Sequence, residues 1–320
     1  MTRFLAYSLV LVLLAGCGAD EKQKVVSAIE DALYYLTHGT PQCQKAIDAL
    51  EKIGRQDKDP RYLQVLASAY ACRAQFSELA LIDDVDKVDA DVEKIFGSLA
   101  SLTLAAETAP ESARFQDLQR AINVLLYAGG RSTPSAAGML GIFGRRHANN
   151  MNLQALYMIL VQLGRYARWY ARTDALGKKG NATGVQVNAC FLNYTGGPLA
   201  VATAFGAPNA CTGAGQGSSD LNPASVGATV ARRRLCQGAM LLTNFLDILD
   251  NITFADTDTL GELTDLSGLF ATAVAALEAM HPDMSAFLAI RDQTACEAFV
   301  DPNPEVAHYL FASLFEGGTP

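Results

Sequence analysis

The feature that most limits the fold is a helical spacing of apolar residues, combined with a repeated helix-start signal. From Asp20 to Leu36 the apolar residues recur every three or four positions, as the buried face of an α-helix requires. A capping residue followed by proline favours a helix N-terminus. It precedes helix-forming residues at Thr40–Pro41, Asp59–Pro60, Asn222–Pro223 and Asn303–Pro304. The sequence therefore predicts an all-α fold, either a helical bundle or a short stack of helix pairs.

We expect a single helical domain over residues 17–320, with N-terminal helix pairs over 41–128 and C-terminal helices over 151–320. The segment from Met151 to Thr173 is apolar on nearly every side, which predicts a central helix. A helix is also predicted from Pro223 to Leu249. Between these two helices, residues 173–222 are rich in glycine and contain two cysteines, so we expect a long irregular loop there, closed by a disulfide and suited to binding.

The first twenty residues resemble an export signal. Arg3 precedes an apolar run from Phe4 to Ala15, and Leu14-Ala15-Gly16-Cys17 has the form of a lipobox. The run is too short to span a membrane. Over residues 1–17 the chain resembles a bacterial lipoprotein precursor. The resemblance implies removal of the signal peptide 1–16 and acylation of Cys17, for example with palmitate, so that the protein is anchored in the membrane of the cell envelope.

The residue after the anchor indicates a location. Gly18 follows Cys17, where an Asp would indicate retention in the inner membrane. By the enterobacterial sorting rule, this predicts the outer membrane, with the protein facing the periplasm. Loss of Arg3 with the signal would change the formal net charge from -8 to -9. An acidic surface argues against a nucleic-acid partner.

Six cysteines remain once Cys17 is assigned to the lipid anchor. An even number in an exported chain predicts disulfides. Many pairings are open, and we favour the sequential one: Cys43 with Cys72, Cys190 with Cys211, and Cys236 with Cys296. Neither the cysteines nor the histidines His38, His147, His281 and His308 have a metal-ligand spacing, so no metal and no cofactor is predicted.

The helix that begins at Pro60 has a second resemblance, within a hairpin over about residues 41–79. Its large, small and aromatic positions are similar to those in the first helix of a tetratricopeptide repeat. The preceding helix departs from that pattern, because Ala46 and Pro60 are out of register. An ordinary helix hairpin is the alternative. The matching residues are Leu63, Leu66, Ala67, Tyr70 and Ala74.

Two further segments leave alternatives open. Residues 129–150 contain five glycines, with Ile142 and Phe143 ahead of a basic run from Arg145 to His147. This pattern is typical of a buried connection or of a segment that binds a membrane surface or partner. Three arginines, Arg232 to Arg234, follow one another on the predicted helix from Pro223. We expect them to be exposed and paired with the acidic stretch from Asp83 to Glu93; an anionic ligand is the alternative.

No catalytic motif for nucleophilic, metal-dependent or nucleotide chemistry is present, so no catalytic residue is predicted and the chain is not expected to be an enzyme. The leading hypothesis is a non-enzymatic envelope scaffold that binds a partner protein in its helical grooves. An alternative is a carrier of a small apolar ligand for a periplasmic uptake system, and a carboxylate-based enzyme is a second. The carrier would need a groove lined by Tyr157, Leu160, Tyr166 and Trp169.

Overall fold

The computed structural model describes residues 20–76, 99, 109–172, 190–204, 211, 217–252, 271–272 and 274–316. Within these ranges the all-α prediction is confirmed, because the only β-structure in them is an isolated parallel bridge between Cys190 and Gly217. Cys17 and the acidic stretch from Asp83 to Glu93 lie outside the described residues. None of the described helices combines the length and apolar character needed to span a membrane.

The structure describes four helices in the N-terminal part, and two of them begin with a side-chain cap. The Asp59 side chain accepts hydrogen bonds from the backbone N–H groups of Arg61 and Tyr62, with Pro60 in the first turn, as predicted. The start expected at Thr40–Pro41 is wrong by two residues, because Gln42 is the N-cap. The helices are α1 Glu21–Thr37, α2 Cys43–Glu51, α3 Pro60–Arg73 and α4 Ala113–Leu126.

The central helix is longer than the sequence predicts. Helix α5 spans Ala136–Tyr170 and begins with a cap from the Ser135 hydroxyl to the N–H of Gly138. Much of the glycine-rich segment 129–150 is therefore part of a helix, which corrects the expectation of a connection between helices. Gly144 has a φ of 73° and breaks the helical conformation, a backbone angle that glycine adopts without strain.

The C-terminal part contains shorter helices around one long helix. The predicted helix from Pro223 is divided at Gly227, whose φ is 85°. Residues 173–222 are not wholly irregular, since they include a helix and a 3₁₀ turn at Ser219–Leu221. The remaining helices are α6 Gly196–Ala204, α7 Pro223–Val226, α8 Ala228–Asn251, α9 at 274–280, α10 Met284–Leu288, α11 Gln293–Val300 and α12 Pro304–Leu310, followed by a π-helical turn at Phe311–Phe315.

Most helices pack on their neighbours in sequence. Helix α1 packs on α2, α2 on α3, α3 on α4 and α4 on α5, and α5 then packs on α8, which contacts α11. A single cluster of buried apolar side chains extends from Ile29 in α1 to Phe315 in the π-helical turn. This arrangement fits the predicted stack of helix pairs, while the likeness to tetratricopeptide repeats stays a prediction.

Buried ionic groups connect α3, α4 and α5. Asp117 of α4 is 6% exposed, and its carboxylate accepts two hydrogen bonds from the Arg73 guanidinium, at 2.8 and 2.7 Å. Arg165 of α5 is 1% exposed and donates to the carbonyl oxygens of Ala74 and Arg114, each at 3.1 Å. Charge-assisted bonds of this kind fix the relative positions of helices, so α4 and α5 have a defined spacing.

Three disulfides are present, and they have the sequential pairing. Cys43–Cys72 joins α2 to α3, and Cys236–Cys296 joins α8 to α11. Cys190–Cys211 closes part of the region between α5 and α8. The Cα–Cα distances of 5.6 to 5.7 Å are those of ordinary disulfides. The predicted connectivity is confirmed.

Candidate ligand-binding cleft

A cleft of about 470 Å³ lies between α4 and α8. Both helices pack against α5, so α5 forms the bottom of the space between them. The apolar residues that line the cleft are aliphatic. They are Pro110 before α4, Ile122 and Leu126 of α4, Ile159 of α5, and Met240 and Leu241 of α8.

Polar side chains form one stripe on each wall of the cleft. On α4 the stripe consists of Gln116, Gln119, Asn123 and, just after the helix, Tyr127. Eleven residues separate the first from the last, so the stripe is about 16 Å long at the helical rise per residue. The Gln119 amide donates to Asn123 Oδ1 at 3.1 Å. The Gln116 amide donates to the Pro110 carbonyl oxygen at 2.5 Å. The first wall is therefore an ordered row of side-chain amides.

The stripe on α8 begins with Arg233, continues through Gln237 and ends at Asn244. Its first and last residues are also eleven positions apart, again about 16 Å along the helix. Asn244 is 4% exposed, and its Nδ2 donates to the carbonyl oxygens of Met240 and Arg291, at 2.8 and 2.9 Å. Its Oδ1 is buried and accepts no hydrogen bond from another described residue. A buried acceptor without a donor costs free energy, so this end of the cleft is suited to a ligand N–H or O–H group.

The three consecutive arginines have different surroundings. Arg232 forms an ion pair with Asp301. Arg234 donates to Asp220 Oδ1 at 3.3 Å and to Glu111 Oε1 at 2.8 Å. Arg233 is exposed at the cleft, and no hydrogen bond or ion pair joins its guanidinium to another described residue.

Burial shifts the pKa values of two further groups at the cleft. Burial raises the pKa of Tyr127, and the negative charge of Asp292 raises it further, so its hydroxyl stays protonated at neutral pH. Burial lowers the pKa of Arg291, against the opposing effect of the Asp247 and Asp250 charges. Arg291 nevertheless keeps its charge, because an arginine guanidinium is not deprotonated in proteins. The cleft therefore has cationic and hydrogen-bond-donating groups at the end near residues 291–293.

A second hollow of about 600 Å³ adjoins the cleft, since Asn123 and Tyr127 line both. Its walls come from α2, α3 and α4. Together the cleft and the hollow are lined by six arginines and three carboxylates, with no lysine. Their formal charge is therefore +3 in a chain whose net charge is -8. The arginines are Arg55, Arg120, Arg131, Arg233, Arg234 and Arg291, and the acids are Glu51, Asp57 and Glu111.

The four residues predicted to line a groove for an apolar ligand are more buried than such a groove requires. Tyr166 is 0% exposed and Leu160 is 7% exposed. The Tyr166 ring packs against Tyr170, with ring centroids 4.4 Å apart, and its hydroxyl donates to the Arg234 carbonyl oxygen at 2.9 Å. Tyr157 and Trp169 are partly buried against the same core. The structure therefore places these side chains in the core, and other residues line the cleft and the hollow.

One cluster brings metal-ligand residue types together within the described ranges. Sulfur atoms of Cys190 and Cys211 lie within 4.8 Å of a Glu316 carboxylate oxygen. The two sulfurs form a disulfide and are therefore not thiolate ligands. Glu316 accepts hydrogen bonds from the Phe191 N–H and the Tyr194 hydroxyl, each at 2.7 Å. This cluster has a structural role, because the Glu316 carboxylate joins the π-helical turn to Phe191 and Tyr194 beside the disulfide.

Sequence reasoning missed the cleft, although one signal for it is visible. Gln116, Gln119 and Asn123 recur at helical spacing on α4, which is the pattern of a polar face. Such a face is normally a solvated one. The polar face of α4 becomes a wall of the cleft because α8 lies opposite it, and α8 comes from a distant part of the chain.

Comparison with protein-family models, with curated proteins and with solved structures finds no match to this chain.

Proposed function

We propose that the protein is a lipid-anchored, non-enzymatic subunit of the bacterial envelope, which binds a partner protein in the cleft between α4 and α8. The observation that carries the proposal is the cleft itself, an open trough lined by amide and arginine side chains in an otherwise acidic protein. Arginine and tyrosine are enriched among residues that dominate protein interfaces.

The envelope location is supported by two features. The lipobox at Leu14 to Cys17 has the form of an acylation site. The three disulfides are typical of an oxidising compartment. Cys17 precedes the first residue of α1, Glu21, by four residues, and four extended residues span at most about 14 Å. A lipid on Cys17 would therefore hold the helical body close to the outer membrane, and a partner would be met in the periplasm or at that membrane.

The alternatives have less support. A carrier of a small apolar ligand would need an apolar enclosure, whereas the aliphatic residues of this cleft lie between two stripes of polar side chains. A carboxylate-based enzyme would need two acids free to act together. In the hollow, Glu51 accepts a hydrogen bond from the Tyr70 hydroxyl, and Asp57 accepts one from Arg55 Nε at 2.6 Å.

The anchor and the cleft can be tested separately. Cys17→Ser should move the protein from the membrane fraction to the soluble fraction; continued sedimentation with membranes would contradict the anchor. For the cleft, Gln237 is replaced with the photo-reactive amino acid benzoylphenylalanine and the cells are irradiated. We expect a crosslinked partner at this position. The same replacement at the exposed Glu305 of α12, which lies outside the cleft, is the control. Equal crosslinking at both positions, or none at Gln237, would contradict partner binding in the cleft.

A further inference from the structure

We propose that the occupant of the cleft is an extended, acidic segment of a polypeptide, which lies along α8 from Arg233 to Asn244. This inference rests on the proposed function and specifies the chemistry of its partner.

The length of the cleft favours a chain over a compact ligand. Arg233 and Asn244 are eleven residues apart on one helix, and eleven helical steps return to nearly the same face. The two side chains therefore mark the ends of a stripe about 16 Å long. A ligand that contacts both must be as long as about five residues of extended chain.

The two ends of the stripe have different chemical requirements. Asn244 Oδ1 is buried at the cleft and accepts no hydrogen bond within the part of the chain that the structure describes, so it needs a donor. A backbone N–H group of an extended peptide is such a donor. Arg233, at the other end, has a guanidinium that no described residue pairs. A carboxylate is its best complement, because the planar fork of guanidinium N–H groups matches two carboxylate oxygens.

The middle of the cleft selects against a purely polar ligand. Met240 and Leu241 lie between Arg233 and Asn244, and Ile159 faces them from α5. These aliphatic side chains favour an apolar side chain on the ligand, because its burial removes apolar surface from water. An acidic polysaccharide would supply carboxylates and hydroxyl donors but no aliphatic side chain, so a peptide with both acidic and aliphatic residues fits better.

The positive charge around the cleft indicates that the partner segment is negatively charged. The cleft and the adjoining hollow have a formal charge of +3, while the chain as a whole has -8. An acidic segment is therefore attracted to the cleft and repelled by the rest of the surface. Such complementarity favours correct docking and suppresses wrong registers.

The test uses the full-length lipoprotein in detergent and an array of pentapeptides that combine acidic and aliphatic residues. A matched array replaces every Asp with Asn and every Glu with Gln. We expect binding to the acidic array only, and Arg233→Gln should weaken binding of the best peptide about tenfold, the equivalent of about 1.4 kcal/mol. The matched control is Arg145→Gln, an exposed arginine of α5 outside the cleft, which should leave the affinity unchanged.

A second measurement tests the Asn244 end without altering the protein. Methylation of one backbone nitrogen at a time removes one N–H donor from the peptide, and we expect a single position to lose about tenfold in affinity. Equal losses at every position, or none, would overturn the assignment of Asn244 Oδ1 as the acceptor.

The outcomes separate this inference from the proposed function. Binding of neutral or basic peptides, or of none, overturns the acidic-peptide inference. Binding of polygalacturonate in an Arg233-dependent manner, with no peptide binding, would assign the cleft to an acidic polysaccharide instead. If Gln237 crosslinks to a partner in cells while the acidic peptides fail to bind, the scaffold proposal stands and this inference falls. If both experiments fail, both fall.

Discussion

The contact between α5 and α8 depends on the absence of a side chain at Gly238, and Gly238→Ala tests this directly. A Cβ atom at this position would lie 2.6 Å from Tyr166 Cζ and 2.8 Å from its hydroxyl oxygen. Both distances are below van der Waals contact. Tyr166 has little room to move, because its ring is 0% exposed and lies within a cluster that includes Tyr170 and Phe315.

Three contributions give the magnitude of the effect. Alanine favours the helix over glycine by about 1 kcal/mol. Overpacking a well-packed core costs about 1–3 kcal/mol. Displacement of the ring also breaks the hydrogen bond from Tyr166 to the Arg234 carbonyl oxygen, which is worth about 1 kcal/mol. We therefore expect Gly238→Ala to lower the free energy of unfolding by about 1–3 kcal/mol.

The control is Gly141→Ala, on an exposed part of α5 where a Cβ would meet nothing within 4 Å. Here only the gain in helix propensity and the loss of unfolded-state entropy operate, so we expect stabilisation by about 0.5–1 kcal/mol. Urea unfolding followed by far-ultraviolet circular dichroism measures both variants, at unchanged denaturant slope. If Gly238→Ala is as stable as the parent, the close approach of α5 and α8 does not depend on this glycine, and the reasoning fails.

Three other predictions concern crosslinking and protonation. Joint replacement Cys236→Ser and Cys296→Ser removes a disulfide that closes a loop with a sequence separation of 60. By loop-closure entropy, the free energy of unfolding should fall by about 4 kcal/mol. A loss below about 1 kcal/mol in urea unfolding would contradict this. Burial lowers the pKa of His308, against the raising effect of Glu305. Because the unfolded chain therefore binds the proton at a higher pH than the folded one, the free energy of unfolding should fall as the pH decreases below about 6.5. His308→Gln should make this free energy depend less on pH, as measured by urea midpoints across the same range. Burial raises the pKa of Tyr70 to about 12, and the hydrogen bond to Glu51 is the next cause. Glu51→Gln should lower this pKa, as measured by titration of the phenolate absorbance. An unchanged pKa would assign the shift to burial alone.

Helix starts were predictable from sequence where the capping chemistry is local. Asp59 and Asn222 both accept backbone N–H groups within their own turn, which depends only on adjacent residues. The start at Thr40–Pro41 failed for a non-local reason. The Gln42 N–H donates to the Tyr35 carbonyl oxygen of α1 at 2.8 Å, and this bond accompanies a helix start delayed to Cys43.

The glycine-rich segment before α5 shows the limit of composition. Its glycines argue against a helix, yet capping by Ser135 and burial of Met139 accompany a helical start. The sequence predicted a central helix around Tyr166, but not whether the Tyr166 ring faces a groove or a filled core. Burial of the ring depends on Phe191, Phe311 and Phe315, which come from distant parts of the chain. Periodicity identifies which residues face inward but not whether the space they face is filled.

The packing order of the helices also has a consequence for how the chain can fold. Helices α1, α2 and α3 contact one another in sequence, and Cys43 and Cys72 are only 29 residues apart. Contacts between near neighbours need little loop closure and form quickly. Under the proposed export of this chain from its N-terminus, these three helices can assemble and their cysteines can be oxidised while later segments are still being translocated. Cys236 and Cys296, by contrast, must wait for α11.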